Sequence, residues 1–304
     1  MKLPKDKIIV YSALGMGLLI IGLAAIFIKL ADAPGNVSTF YRMLIASAAM
    51  AIPFAFNFSK TVQKPPVRII LLNVLAGFLF GLDMLMWSTG LDITGATMPT
   101  LFANTAPVWV GISAMIIFKE KLHKNFWFGL LVAFAGTAIV ILQSGNNIIK
   151  VNAGSLLGLG AGFFYGMYYI ITQYARKFIN TIQYFWTSTT ASALTIMLGL
   201  LIFNHPVTGY NTKTWLLFLV MGIIVQVCGW LLLNYVQGHL PAALVSPTML
   251  GQPVITAFFA ILLLDEKFSV FDVIGGIIVI AGIFVVHRSV AVNNKLKRNA
   301  VNTG

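Results

Sequence analysis

Residues 106–141 read APVWVGISAMIIFKEKLHKNFWFGLLVAFAGTAIVI, and residues 252–286 read QPVITAFFAILLLDEKFSVFDVIGGIIVIAGIFVV. At an offset of 146 residues, Pro107 falls on Pro253, Glu120 on Glu266, Lys121 on Lys267, Gly129 on Gly275 and Gly136 on Gly282. The phrase is repeated, but the polar loop inside it reverses its charge. KEKLHK (119–124) has three Lys against one Glu, whereas DEKFSVFD (265–272) has one Lys against three acids.

The environment of the repeat follows from composition. The chain is 59% apolar and only 9% charged, against about 25% charged in a soluble domain. Its apolar runs approach the roughly 20 residues that cross a bilayer core as a helix. They are continuous, which excludes the alternating pattern of a membrane barrel. The expected fold is therefore an all-α integral membrane protein of ten spans. These lie at roughly 8–30, 37–57, 68–90, 96–118, 126–143, 154–175, 181–203, 214–236, 241–264 and 271–288. The basic head and apolar run at the start resemble a signal peptide. The length of the run, Lys29 at its end and Pro34 after the Ala-x-Ala favour a retained first span.

The net charge of +12 is assigned to membrane orientation, not to nucleic acid, because Lys and Arg collect on the cytoplasmic side. Fifteen basic residues, among them Lys60, Arg68, Lys124, Arg176 and Arg288, fall on one side. Only Lys150, Lys213 and Lys267 fall on the other. Both termini are expected in the cytoplasm of a multi-pass protein of the cell membrane, in a bacterium the inner membrane. An odd number of spans per copy inverts the second copy, so each loop is dressed for its own face. Two such halves, 1–145 and 146–290, followed by a basic cytoplasmic tail at 291–304, are expected to surround a central cavity. Inverted repeats of this kind mark secondary transporters, whose halves exchange conformations.

The chain resembles the EamA type of the drug/metabolite transporter superfamily over about residues 8–288. The resemblance is carried by the two Pro-Val…Glu-Lys…Gly…Gly hairpins, by FYRMLIASA (40–48) and by GLDMLMWSTGLDITGATMPTLFANTAPV (81–108). It implies a basket of spans around a cavity, with the fifth and tenth at the periphery. It also implies transport, commonly export, of amino acids or related solutes.

Asp83 is the sharpest single feature. A charge inside a membrane helix costs at least about 2.5–3.5 kcal/mol on insertion scales and usually marks function. It is read as a proton carrier or substrate-amine anchor, or as an ion-pair partner of Arg42 or Lys29. Arg42 is read as a carboxylate anchor or a structural cation, and Lys29 as a cation reaching for the interface. Gln226, Trp230, Asn234 and Gln237 are spaced four, four and three, which places them on one helical face. That face is read as a cavity wall, the alternative being hydrogen bonding between helices. Trp87 and Asn104 are expected to join it. Tyr165, Tyr169 and Trp186 are candidate lining residues, with packing or an aromatic belt as the alternative. Gly154, Gly158, Gly162 and Gly166 recur every four residues and point to close helix packing. Pro107 and Pro253 each remove a helix hydrogen bond and mark kinks or hinges.

Catalysis, metals and cofactors find no support. Asp83 has no second deep acid with which to form a catalytic pair. No P-loop is present, the histidines lack metal-ligand spacing, and a single cysteine, Cys228, forms no intrachain disulfide. The expected partners are a small-molecule substrate, the lipid bilayer and, through Asp83, protons.

Overall fold

The structure is a computed structural model that describes residues 5–61, 64–143, 152–264 and 269–302. Lys2, Lys150, Glu266 and Lys267 lie outside the described residues. Among the described residues ten helices are long and apolar enough to cross a membrane. They are span 1 (Lys7–Leu30), span 2 (Gly35–Ser59), span 3 (Val67–Thr94), span 4 (Thr97–Ile117), span 5 (Lys124–Gln143), span 6 (Ala153–Ala175), span 7 (Thr181–Ile202), span 8 (Thr212–Gln237), span 9 (Ala242–Leu264) and span 10 (Val270–Val290). The helix of span 10 runs on to Asn302.

Local chemistry sets the ends. Asn152, Asn180 and Asn211 each accept the backbone N–H three residues on, at 2.9–3.0 Å, and so cap spans 6, 7 and 8. Gly95, at φ 81°, closes span 3 in the left-handed region and lets the chain turn straight into span 4. Short connections make successive spans antiparallel. One end of the bundle therefore gathers Lys60, Arg68, Lys124, Arg176 and Arg288, here termed the basic end. The far end carries the Gly95 turn and the start of span 10.

Two helices break where proline requires it. Span 4 stops at Ala103 and restarts at Ala106, because Pro107 has no N–H to offer the Ala103 carbonyl. Asn104 Nδ2 donates to Thr100 O at 2.8 Å and Thr105 Oγ1 to Phe102 O at 2.6 Å, which satisfies carbonyls beside the break. Span 9 changes to a single 3₁₀ turn at Met249–Gly251, just ahead of Pro253.

Glycines decide which spans touch. A Cβ built on Gly129 would stand 2.9 Å from Gly282 O, and one on Gly136 would stand 2.7 Å from Gly275 O. Spans 5 and 10 thus pack backbone to backbone. The contacts cross, first-copy glycine to second-copy glycine in both directions, as a twofold relation between two similar helices generates. Gly77 against Ser188 O and Gly222 against Arg42 O repeat the crossing for span 3 on span 7 and span 8 on span 2. The glycines of span 6 pack as their spacing predicts, Gly154 on Thr94, Gly158 on Pro99, Gly162 on Thr105 and Gly166 on Trp109.

Candidate functional site

A cavity of about 860 Å³ occupies the far half of the bundle. Its walls are the far halves of spans 1 and 3, the broken stretches of spans 4 and 9, and the middle of span 6. Spans 5 and 10 form part of the rim, where Gln143 Nε2 donates to Asp272 Oδ1 at 2.6 Å.

The charged groups sit deep. Asp83 is 2% exposed and Arg42 is 4% exposed, and both line the cavity. Arg42 and Asp83 nevertheless form no ion pair with each other. Arg42 Nη2 donates instead to Met84 Sδ at 3.4 Å, while Arg42 Nε and Asp83 Oδ2 have no hydrogen-bond partner among the described residues. Of the two alternatives that made Asp83 an ion-pair partner, the one with Arg42 is not formed here. Each residue keeps one buried polar atom without a partner, and both residues line the cavity. Lys29 also lines the cavity, nearer its mouth.

Aromatic groups surround this pair. Trp87 lines the wall one turn beyond Asp83 and is fixed by Nε1 donating to Thr100 Oγ1 at 3.0 Å. Tyr165 and Tyr169 share a hydroxyl hydrogen bond of 2.9 Å. Trp230 lies 6.1 Å from the Tyr165 ring and 4.5 Å from Phe80, with its Nε1 buried and unpartnered. Ser246 Oγ, also at the cavity, is unpartnered as well. Unmade hydrogen bonds of buried groups cost roughly 1–3 kcal/mol each. Four such atoms belong to residues that line one cavity, Arg42, Asp83, Trp230 and Ser246, and each atom is itself covered by protein.

Below the cavity the basic end is closed. Tyr168 Oη donates to Asn234 Oδ1 at 2.9 Å, and the Thr172 and Tyr184 hydroxyls meet at 2.5 Å. Arg176 Nε donates to Asn234 O at 3.1 Å and its Nη2 to Thr181 Oγ1 at 2.7 Å. Gln173 joins this layer by donating to Glu120 at 3.3 Å and accepting the Ala242 N–H at 2.6 Å.

Residues 8–142 match the EamA-like transporter family, and residues 152–288 match it a second time. The chain belongs to this family. EamA-like transporters are membrane proteins, so the ten apolar helices are the spans of a multi-pass transporter whose partners are a small-molecule substrate and the bilayer. The chain is 27% identical over 260 residues to an uncharacterized transporter of Archaeoglobus fulgidus, covering 83% of this chain and 86% of that one. It is 24% identical over 295 residues to the uncharacterized transporter YetK of Bacillus subtilis, covering 93% and 88%. A solved crystal structure overlays with a TM-score of 0.75 at 16% identity, covering 92% of this chain and 96% of the other, which shows the shared fold.

Within this EamA-like fold the expected lining residues divide. Asp83, Trp87, Asn104, Tyr165, Tyr169, Trp230, Arg42, Lys29, Pro107 and Pro253 line the cavity. Trp186, Gln226 and Asn234 do not. Trp186 stands near the start of span 7, at the basic end, too far down to reach the cavity. Its ring stacks on Phe54 at 4.0 Å and its Nε1 donates to Ser47 O at 3.0 Å. Asn234 is at the basic end too, held by Tyr168. Gln226 is buried with its Oε1 unpartnered and does not line the cavity either. Met221–Trp230 is wound as a π-helix, with hydrogen bonds closing five residues back instead of four.

Ser246 and Thr100 were missed as lining residues. They stand at the same 146-residue offset as the two prolines, so extending the repeat backwards from Pro107 and Pro253 would have found both.

Proposed function

We propose that the chain is an alternating-access secondary transporter for a small zwitterionic metabolite of the amino-acid type. The observation that carries this reading is the pairing of Asp83 and Arg42. A buried carboxylate and a buried guanidinium line one cavity without bridging each other, and each has an unpartnered atom. A solute with an ammonium and a carboxylate complements both charges, and charge-assisted bonds of this kind are the strong ones. The aromatic wall suits the cation, since an ammonium over a tryptophan or tyrosine face gains about 0.5–2 kcal/mol. The remaining lining is largely aliphatic and suits an apolar side chain.

In this reading residues 1–145 and 146–290 are the two inverted halves, and 291–304 is a cytoplasmic tail. The basic end faces the cytoplasm of a bacterial inner membrane, and the far end faces outward. The cavity is then the outward-open state, with Pro107 and Pro253 as the bends about which the wall moves. Asp83 carries the coupling proton, and the direction of export follows the family resemblance.

The test is transport in proteoliposomes loaded with amino acids and related amines, with and without a pH gradient, beside Asp83→Asn. Gradient-accelerated movement of one zwitterionic class, lost in the variant, supports the reading. Movement that ignores both the gradient and the substitution refutes the coupling role and leaves a facilitated diffuser or exchanger.

A further inference from the structure

A second pocket, of about 600 Å³, opens at the basic end of the seam between spans 5 and 10. His123, Lys124 and Asn125 come to it from the start of span 5, and Phe284 and Arg288 from the end of span 10. Lys124, Arg288 and Phe284 are all exposed. No carboxylate lines the pocket, and among the described residues neither the Lys124 nor the Arg288 side chain makes an ion pair or hydrogen bond. The glycine contacts between spans 5 and 10 hold the two helices that carry these cations against each other.

What lies beyond the cations narrows the ligand. Along span 10, Phe284, Ile280 and Ile277 follow Arg288 at intervals of four, four and three, and all are exposed. Along span 5, Phe128 and Leu131 follow Lys124 on one face and are exposed as well. From Arg288 to Ile277 is roughly 16 Å at 1.5 Å per residue. That is about half of a 30 Å hydrocarbon core, the depth of one leaflet.

We propose that this is a binding site for one anionic phospholipid. Its phosphate sits between Lys124 and Arg288, and its acyl chains lie along the two apolar tracks. Basic pockets between spans on the cytoplasmic side take such headgroups, and each cation near the surface contributes about 1 kcal/mol. A free phosphate has no use for the tracks, and a neutral zwitterionic lipid has little use for two unopposed cations. The bound lipid bridges the two family repeats at a seam already built from both.

The experiment is native mass spectrometry of the full chain in detergent, titrated with phosphatidylglycerol and, separately, with phosphatidylcholine. The wild type is expected to retain phosphatidylglycerol preferentially. The K124Q/R288Q double variant loses about tenfold or more in that affinity, while R68Q, at the same end but outside the pocket, leaves it unchanged. Phe284→Gln weakens retention of long-chain phosphatidylglycerol and spares a six-carbon-chain analogue. The substituted side chains are exposed, and an unchanged melting temperature checks that each variant folds. The proposal is overturned if the double variant binds phosphatidylglycerol like the wild type or if phosphatidylcholine binds equally well. Displacement of the lipid by an equal concentration of inorganic phosphate also overturns it.

Discussion

Gly136 abuts the backbone carbonyl of Gly275, close enough that a Cβ at Gly136 would stand 2.7 Å from that oxygen. The obstruction is main chain and has no rotamer in which to escape. Gly136→Val is expected to lower stability by about 1–3 kcal/mol or more, as overpacking of a close interface does. Gly15→Ala, where an added Cβ meets nothing within 4 Å, leaves it unchanged. Thermal unfolding in detergent compares the two, and equal melting temperatures would show that the seam does not hold spans 5 and 10 together.

Asp83 and Arg42 share the cavity without touching, so each is expected to matter to transport separately. Asp83→Asn keeps the size of the side chain and removes its charge. The expected outcome is at least a tenfold drop in uptake of an amine-bearing solute, the scale of a lost charge-assisted contact. Radiolabel flux in proteoliposomes measures it. An undiminished rate would return Asp83 to a structural role.

Trp230 and Asn234 are neighbours on span 8 with different surroundings. Trp230→Ala is expected to raise the KM for transport, because the ring is cavity wall. Asn234→Ala is expected to cost about 1–2 kcal/mol of stability, because the Tyr168 hydroxyl loses its buried acceptor, with the KM little changed. Paired flux and melting measurements separate the two, and a KM shift in Asn234→Ala alone would invert the assignment.

The depth of the cavity makes a labelling prediction. In a Cys228→Ser background, Thr97→Cys lines the cavity mouth and Thr172→Cys lies in the closed layer. A membrane-impermeant thiol reagent applied to intact cells is expected to label the first and spare the second. Labelling of Thr97→Cys only in inverted vesicles would reverse the proposed orientation.

The ten spans were legible because each is a continuous apolar run bounded by turn chemistry. The first was expected at 8–30 and lies at Lys7–Leu30. The glycine stripe of span 6 was legible because a small residue every fourth position has one physical use in such a helix. Asp83 stood out because a charged group deep in a span must meet something other than lipid, and Trp87 because it lies one turn beyond it. Trp186 is read from its residue type and Asn234 from the stripe spacing of span 8, and neither reading weighs depth; counting their distance from the basic end places both below the cavity. The π winding of Met221–Trp230 left no such trace. No proline or polar insertion announces it.

The closed layer beneath the cavity also has an electrical meaning. A cavity open to solution from the far end carries that solution's potential down to Asp83, so the membrane voltage falls across the thin stretch of Tyr168, Asn234 and Arg176. In the proposed cycle, a solute leaving the cavity through that stretch traverses nearly the whole field at once. Each net charge it carries is worth about 2.3 kcal/mol per 100 mV, whereas a zwitterion crosses at no electrical cost. The steepness of flux with voltage therefore counts the charges moved per cycle, whatever the identity of the solute.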